Sequence, residues 1–244
     1  MTITSIGDSQ RKAARIAGFS YLITFATVVA ANYGISNRLI VPHDAAATAR
    51  NILAHEMLFR INIAGFLLYS AGILVLLSAL YITLKPVNRG LAMVAALSRL
   101  VFALMWLVAP LGYFVALRIL KADYLQLLGA DQLQALAKLT VGGGFEGYYI
   151  GLPFYGLAST LCFYLFFKSK YIPTALAVAG VISSAWCVAT GLAFLIIPDF
   201  DKTVNLYWLD LPMAVSEMAL GFWLVFRGLE PTGIANSPPA ELVR

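Results

Sequence analysis

The stretch LAMVAALSRLVFALMWLVAPLGYFVALRIL (91–120) decides the fold of this chain. It is apolar throughout, apart from Arg99 near its middle and Arg118 near its end. A helix that crosses a bilayer needs about 20 mostly apolar residues, so the stretch predicts a transmembrane helix. A charge at the bilayer centre costs at least a few kcal/mol. The sequence therefore predicts that Arg99 has a buried partner or belongs to a functional site.

Runs of the same kind occur along the whole chain. Six of them are long enough to span a membrane, at 14–35, 57–84, 90–120, 145–167, 173–197 and 207–227. The chain is 61% hydrophobic and 12% charged, whereas about 25% of the residues of a soluble domain are charged. These features predict an all-α, polytopic membrane bundle of six transmembrane helices. We expect a tail at 1–12, the bundle at 13–228 and a disordered tail at 229–244.

The basic residues indicate the orientation of the bundle. The turns KPVNRG (85–90) and KSKYIP (168–173) are short and basic, while most acidic residues fall in the other loops. Short basic turns remain in the cytoplasm, so both termini are predicted to be cytoplasmic. The net charge of +5 is then explained by topology and anionic lipids, and no nucleic-acid partner is expected. The polar start and long first run favour a retained helix over a cleaved signal peptide.

The loops on the predicted outer side contain short helical patterns. Asp44 precedes AAATARNILAHEM and Asp131 precedes QLQALAKL, each in a position suited to an N-cap. We expect both segments to form short interfacial helices. Weak similarities at offsets of about 59 and 86 residues suggest three helical hairpins. Apolar sequences also match by chance, so a true internal repeat and a chance similarity both stay open.

Two stretches are distinctive beyond their composition: VPHDAAATARNILAHEMLFR (41–60) and LKPVNRGLAMVAALSRL (84–100). With the six-run layout, they resemble the bacterial membrane proteins of domain-of-unknown-function family 4386. The resemblance covers roughly Arg11 to Phe226. It implies an integral protein of the bacterial inner membrane and no established activity. The motif positions Asp44, Arg60, Asn88, Arg89 and Arg99 are carried over without a catalytic role.

Arg99 and Glu217 are the candidate site at mid-span. Each lies nine or ten residues into its apolar run, from opposite sides, which places both about 15 Å deep in a core about 30 Å thick. Equal depth and opposite charge predict a buried ion pair that locks two helices. The alternative is a relay, coupling-ion or substrate site at the same two residues.

A second candidate group lies near the predicted outer surface. Arg60, Glu146 and Asp210 belong to it, together with His55, Glu56, Tyr148 and Tyr149. Arg60 has the geometry to hold a phosphate or carboxylate. Glycines 142–144 and 147 are expected to open the fourth helix, whose first amides attract anions. The alternative is that these residues form interfacial anchors and loop salt bridges.

Other chemistries find little support in the sequence. His43 and His55 are the only histidines and lack a metal-binding spacing, so no metal or other cofactor is predicted. Cys162 and Cys187 form no CxxC motif and are expected to be packing residues. Three functions stay open: a bundle that binds or moves a small lipophilic or anionic ligand, a structural or sensory protein, and an enzyme acting on lipid headgroups. The first is favoured, the lipid bilayer is the expected partner, and no oligomeric state is indicated.

Overall fold

A computed structural model of the protein describes residues 6–121, 129–205 and 207–230, and this part of the chain is helical with no β-strand. A π-helical segment, Ala30–Ser36, separates the first two helices. The α-helices are α1 (Asp8–Val29), α2 (Asn37–Leu39), α3 (Ala45–Ala54), α4 (Glu56–Leu84), α5 (Arg89–Trp106), α6 (Val108–Leu120), α7 (Ala130–Ser169), α8 (Thr174–Ile196), α9 (Phe200–Thr203) and α10 (Tyr207–Phe226).

Six stretches of helix are long and apolar enough to cross a membrane, which confirms the six predicted spans. They are Asp8–Leu39, Glu56–Leu84, Arg89–Leu120, Ala130–Ser169, Thr174–Ile196 and Trp208–Phe226. The first helix begins at Asp8, so residues 8–12 are helical although the sequence placed them in a tail. The predicted C-terminal tail from 231 onward lies outside the described residues.

The fourth span differs from its prediction. The sequence suggested a short helix after Asp131 and a new helix from 145, but α7 is continuous from Ala130 to Ser169. Glycines 142–144 therefore do not begin a helix, and the predicted anion-binding N-terminus at this position is wrong. Gly144 packs against Ala109 instead, where an added Cβ would lie 2.8 Å from the Ala109 Cα. The absence of a side chain at Gly144 lets α7 approach α6 closely at Ala109. The glycine therefore serves helix packing and does not end or begin a helix here.

The six spans form a closed ring. Each span packs against the next one in the chain, and α10 packs against α1 to close the circle. At this last contact a Cβ on Gly18 would lie 2.8 Å from the carbonyl oxygen of Gly221, so the two helices approach closely. Small residues permit such close packing between membrane helices. The ring places the predicted hairpins side by side, while an internal repeat among them stays a prediction.

Hydrogen bonds at one end of the bundle show which helix ends lie together. The side chain of Gln10, at the start of α1, donates to the carbonyl of Thr83, at the end of α4, at 2.8 Å. The amide of Glu230, after α10, donates to the carbonyl of Tyr171 at 2.8 Å. We call this end, where α1 begins, the near face. The opposite end, which carries α3 and the start of α7, is the far face.

The far face is capped by α3. Asp44 begins this helix as predicted, because its carboxylate accepts the Ala47 amide at 2.8 Å. Lys138, in the first part of α7, donates to the carbonyl of Val41 and approaches Thr48 Oγ1 at 3.4 Å. The distinctive stretch 41–60 is therefore held in place by the extended start of α7.

Prolines lie inside the third, fourth and sixth spans, at Pro110, Pro153 and Pro212. The third span is broken at Leu107, three residues before Pro110. In α10, Pro212 cannot donate to the carbonyl of Trp208, and the indole of Trp186 on α8 donates to it at 2.9 Å instead. Membrane helices tolerate proline when a neighbour satisfies the freed carbonyl in this way.

Candidate functional site

Arg99 and Glu217 form an ion pair in the middle of the bundle. Arg99 Nη2 on α5 lies 2.8 Å from Glu217 Oε1 on α10, and the two side chains are only 1% and 5% exposed. Each residue lies ten positions after the first residue of its helix, or about 15 Å along the axis. A charge at this depth would be very costly alone, so each residue compensates the other.

Two α7 side chains and one from α1 complete this site. Ser159 Oγ accepts from Arg99 Nη2 at 2.7 Å and donates to Glu217 Oε1 at 2.5 Å. The Tyr155 hydroxyl donates to Glu217 Oε2. The Arg99 guanidinium also lies over the rings of Tyr21 and Tyr155, at 5.6 and 5.2 Å from their centroids. The first, third, fourth and sixth spans therefore meet at one polar centre.

A second bond between α7 and α10 lies nearer the far face. The Tyr148 hydroxyl donates to Asp210 Oδ2. Tyr148 and Tyr155 are seven residues apart on α7, as Asp210 and Glu217 are on α10, so each pair occupies one helix face. The two tyrosine–carboxylate bonds form successive rungs between these helices. We refer to the bonds Tyr148–Asp210 and Tyr155–Glu217 as the two rungs.

A cavity of about 790 Å³ occupies the interior of the ring. Arg99 and Glu217 lie in its wall at mid-span, and Asn37 and Asn205 line it towards the far face. The first four spans and the sixth contribute side chains, whereas none from α8 is among those that line it. All four residues of the two rungs line the cavity. The rungs therefore stand between the cavity and α8, which packs against both α7 and α10.

The wall of this cavity is rich in aromatic side chains. Among them are Tyr69, Phe102, Trp106, Tyr148 and Tyr155. Phe102 stacks on Tyr155 with ring centroids 4.4 Å apart, and Trp106 meets Tyr148 edge-on at 5.0 Å. An apolar cavity of this size with a few convergent polar groups is typical of small-molecule sites, which measure about 300–1,000 Å³.

Several buried donors in this wall lack a partner among the described residues. They are Nε and Nη1 of Arg99 and Nε1 of Trp106, and both side chains line the cavity. An unsatisfied buried donor costs about 1–3 kcal/mol, and more when it is charged. An acceptor for these donors would have to come from outside the described residues.

The structure separates the five candidate site residues into two groups. Arg99, Glu217 and Asp210 line the cavity, whereas Arg60 and Glu146 do not. Arg60 Nε bonds to Glu56 at 2.9 Å on the bundle surface, and Lys121 bonds to the same carboxylate at 2.8 Å. Glu146 is exposed on α7. For Arg60 this is the surface salt-bridge arrangement that the sequence left open as the alternative to an outer polar pocket.

Sequence reasoning missed Ser159 and Tyr155, and it missed a second buried polar cluster. Asn62, which is fully buried, donates to Ser36 Oγ at 2.8 Å, and Ser36 lies 3.2 Å from the hydroxyl of Tyr113. Ser36 ends the π-helical segment, and such segments often lie at functional sites. The four-residue spacing of Tyr155 and Ser159, which places both on one helix face, was the available signal.

The described residues contain no group of three or more His, Cys, Asp or Glu side chains that could hold a metal ion. Both cysteines are buried and free. Glu56 is engaged on the surface of α4 and α6, while Asp210 faces the cavity. The outer acids therefore do not converge on a common point, as an enzyme acting on headgroups would require.

Comparison with protein families gives one match that covers most of the chain. The family model described as domain of unknown function (DUF4386) matches residues 16–228. The chain belongs to this family, as its two distinctive stretches indicated. No curated protein and no solved structure matches it.

Proposed function

We propose that this member of the DUF4386 family binds a small lipophilic molecule in its central cavity, with the polar end of the molecule at Arg99. The observation that carries the proposal is the cavity of about 790 Å³, whose wall contains Arg99 with two unpartnered nitrogens. A carbonyl oxygen at this point would accept hydrogen bonds from Arg99 and from the Trp106 indole.

The charges in the wall narrow the class of ligand. Arg99 and Glu217 neutralise each other, and Asp210 adds a carboxylate that is bonded to Tyr148. A multiply charged anion such as a phosphate monoester would therefore meet no net positive charge. The lipophilic part would lie against aromatic faces, which supply large contact areas. The ligand we infer is neutral and has an oxygen acceptor at its polar end.

The cavity extends from mid-span towards the far face, where Asn37 and Asn205 line it. Movement of a ligand across the membrane would need a second arrangement open to the near face. The two rungs and the Arg99 centre are the contacts that such a change would have to break, because they join the third, fourth and sixth spans.

Binding can be tested with three naphthalene probes that differ only in their polar end: 2-acetylnaphthalene, 2-naphthoate and 2-naphthylmethylammonium. The purified chain in lipid nanodiscs is dialysed against each probe, and empty nanodiscs give the uptake by lipid alone. We expect the ketone to bind above this background, and to bind more tightly than either the carboxylate or the ammonium. Uptake equal to that of empty nanodiscs for every probe would contradict the proposal.

A cavity-filling variant locates the binding. Ala214 lines the cavity about one helical turn from Glu217, so Ala214→Trp should lower probe affinity at least tenfold by occupying the space. Ala189→Trp is the matched control, because Ala189 is an exposed residue of α8, a helix absent from the cavity wall. Equal loss in both variants, or no loss in Ala214→Trp, would argue against binding in the cavity.

A further inference from the structure

A second concave site lies on the outer surface of the ring, where α4 meets α6 near the far face. It is a groove of about 600 Å³, separate from the central cavity. Ile63 and Leu67 of α4 form one wall, and Leu111 and Phe114 of α6 form the other. Arg60 is the one charged residue that lines it. The groove is thus an apolar slot with a guanidinium at its far-face end.

Further positive charge surrounds this end of the groove. Glu56 Oε1 accepts from Arg60 Nε at 2.9 Å, and Glu56 Oε2 accepts from Lys121 Nζ at 2.8 Å. The Arg118 guanidinium lies 5.9 Å from the centroid of the Phe114 ring, which lines the groove. The described side chains in these contacts comprise three basic groups and one carboxylate, and only Arg60 and Lys121 bond to it. The bond to Glu56 uses Arg60 Nε and leaves the two terminal nitrogens of Arg60 as donors.

The distance from the deep end of the slot to its basic rim matches one leaflet of a bilayer. Leu107 lines its deep end, and Arg118 lies eleven residues further along the same span, which is about 16 Å of helix. Half of a hydrocarbon core about 30 Å thick is about 15 Å. The apolar slot would thus lie beside the acyl chains while the basic residues lie at headgroup level.

We propose that this groove binds one anionic phospholipid, with an acyl chain along Leu67 and Leu111 and the phosphate at the terminal nitrogens of Arg60, near Lys121. Arginine forms bidentate hydrogen bonds with phosphate, and lysine adds a point charge. Among the described residues the rim carries a net positive charge, which favours an anionic headgroup over a zwitterionic one. This site is independent of the ligand proposed for the central cavity.

The test measures which lipid stays bound. The full chain is reconstituted with equal amounts of phosphatidylglycerol and phosphatidylcholine and extracted in detergent, and the lipids retained on the protein are counted by native mass spectrometry. We expect the wild type to retain phosphatidylglycerol in severalfold excess. Arg60→Gln with Lys121→Gln should reduce the ratio of the two lipids at least fivefold, since each basic residue near the surface contributes about that factor.

Glu56→Gln separates lipid binding from ion-pair loss. It breaks the same two ion pairs as the double variant, but it leaves both basic groups free and should raise the preference for phosphatidylglycerol. Ala64→Trp fills the slot and should reduce the lipid retained. Arg50→Gln with Lys202→Gln removes two exposed basic residues that do not line the groove and should change nothing.

Four results would overturn the proposal. The first is an equal retention of both lipids by the wild type. The second is an unchanged ratio in the Arg60 and Lys121 double variant. The third is a fall in preference in Glu56→Gln, which would assign the effect to lost ion pairs, and the fourth is full retention in Ala64→Trp. Thermal unfolding of each variant confirms that the protein measured is folded.

Discussion

At the scale of single residues, Arg99 and Glu217 are interdependent. Their 2.8 Å contact is almost completely buried, so either charge left alone has no compensation in the membrane. The net contribution of the pair to stability is small, because both groups lost their hydration on burial. The cost of removing one partner is therefore much larger than the cost of removing both.

We predict that Arg99→Met and Glu217→Leu each lower the free energy of unfolding by about 3–5 kcal/mol. The double variant should be close to the wild type, because no unpaired charge remains. The measurement is reversible unfolding in detergent, analysed as a double-mutant cycle. A double variant as unstable as the sum of the single variants would show that the pair does not act as a unit.

The same double variant separates structure from function. If the pair only joins two helices, the folded double variant should still bind the naphthalene probe that the wild type binds. Our proposal places the polar end of the ligand at Arg99 and therefore predicts that binding is lost although folding is kept. Tyr164→Phe, at a half-exposed tyrosine of α7, serves as a control that should alter neither property.

At the scale of elements, α7 is the main organiser of the bundle. Its 40 residues contact α3, α5, α6 and α8, and they supply Lys138 to the far-face cap and Tyr155 and Ser159 to the buried centre. The glycines within it have different surroundings. An added Cβ on Gly144 would lie 2.8 Å from the backbone of Ala109, whereas nothing lies within 4 Å of one on Gly142.

This difference gives a matched pair of substitutions in one helix. We predict that Gly142→Ala stabilises the protein by up to about 1 kcal/mol, because alanine is the better helix former. Gly144→Ala should destabilise it by about 1–3 kcal/mol, because backbone must shift to make room. Unfolding in detergent measures both changes. If Gly144→Ala also stabilised the protein, the close contact with Ala109 would be wrong.

At the scale of the whole molecule, the closed ring has two ends, the near face and the far face, and one interior. The orientation of these faces in the membrane is still a prediction from the basic turns. Pro86 lies exposed in the turn between α4 and α5 at the near face, and Thr203 lies exposed at the end of α9 at the far face. Neither residue is charged, so replacing it leaves the topology signals unchanged.

We predict that a membrane-impermeant maleimide labels Thr203→Cys in intact cells and labels Pro86→Cys only after the membrane is permeabilised. The wild type supplies the blank, because its two cysteines are buried. The opposite labelling pattern would place both termini outside the cytoplasm. It would also place the end of the cavity that Asn37 and Asn205 line on the cytoplasmic side.

The sequence alone determined the number and nature of the spans. Length and hydropathy act locally, so the six runs, the Asp44 cap and the depth of Arg99 and Glu217 could all be derived from residue positions. It misjudged the start of the fourth span, because a run of glycines can either end a helix or admit a close neighbour. Only the position of Ala109 decides between these outcomes.

The tertiary structure alone decided what the polar residues do. Arg60 and Asp210 were equivalent in sequence as charges near a helix end, yet Arg60 lies on the surface beside Glu56 and Asp210 lies in the cavity wall. The order of the spans around the ring and the rotation of each helix place a side chain inside or outside. Both depend on contacts between residues far apart in the chain, such as Gly18 with Gly221. The apolar pattern fixes how deep a residue lies, but only the packing of the ring fixes which residues meet.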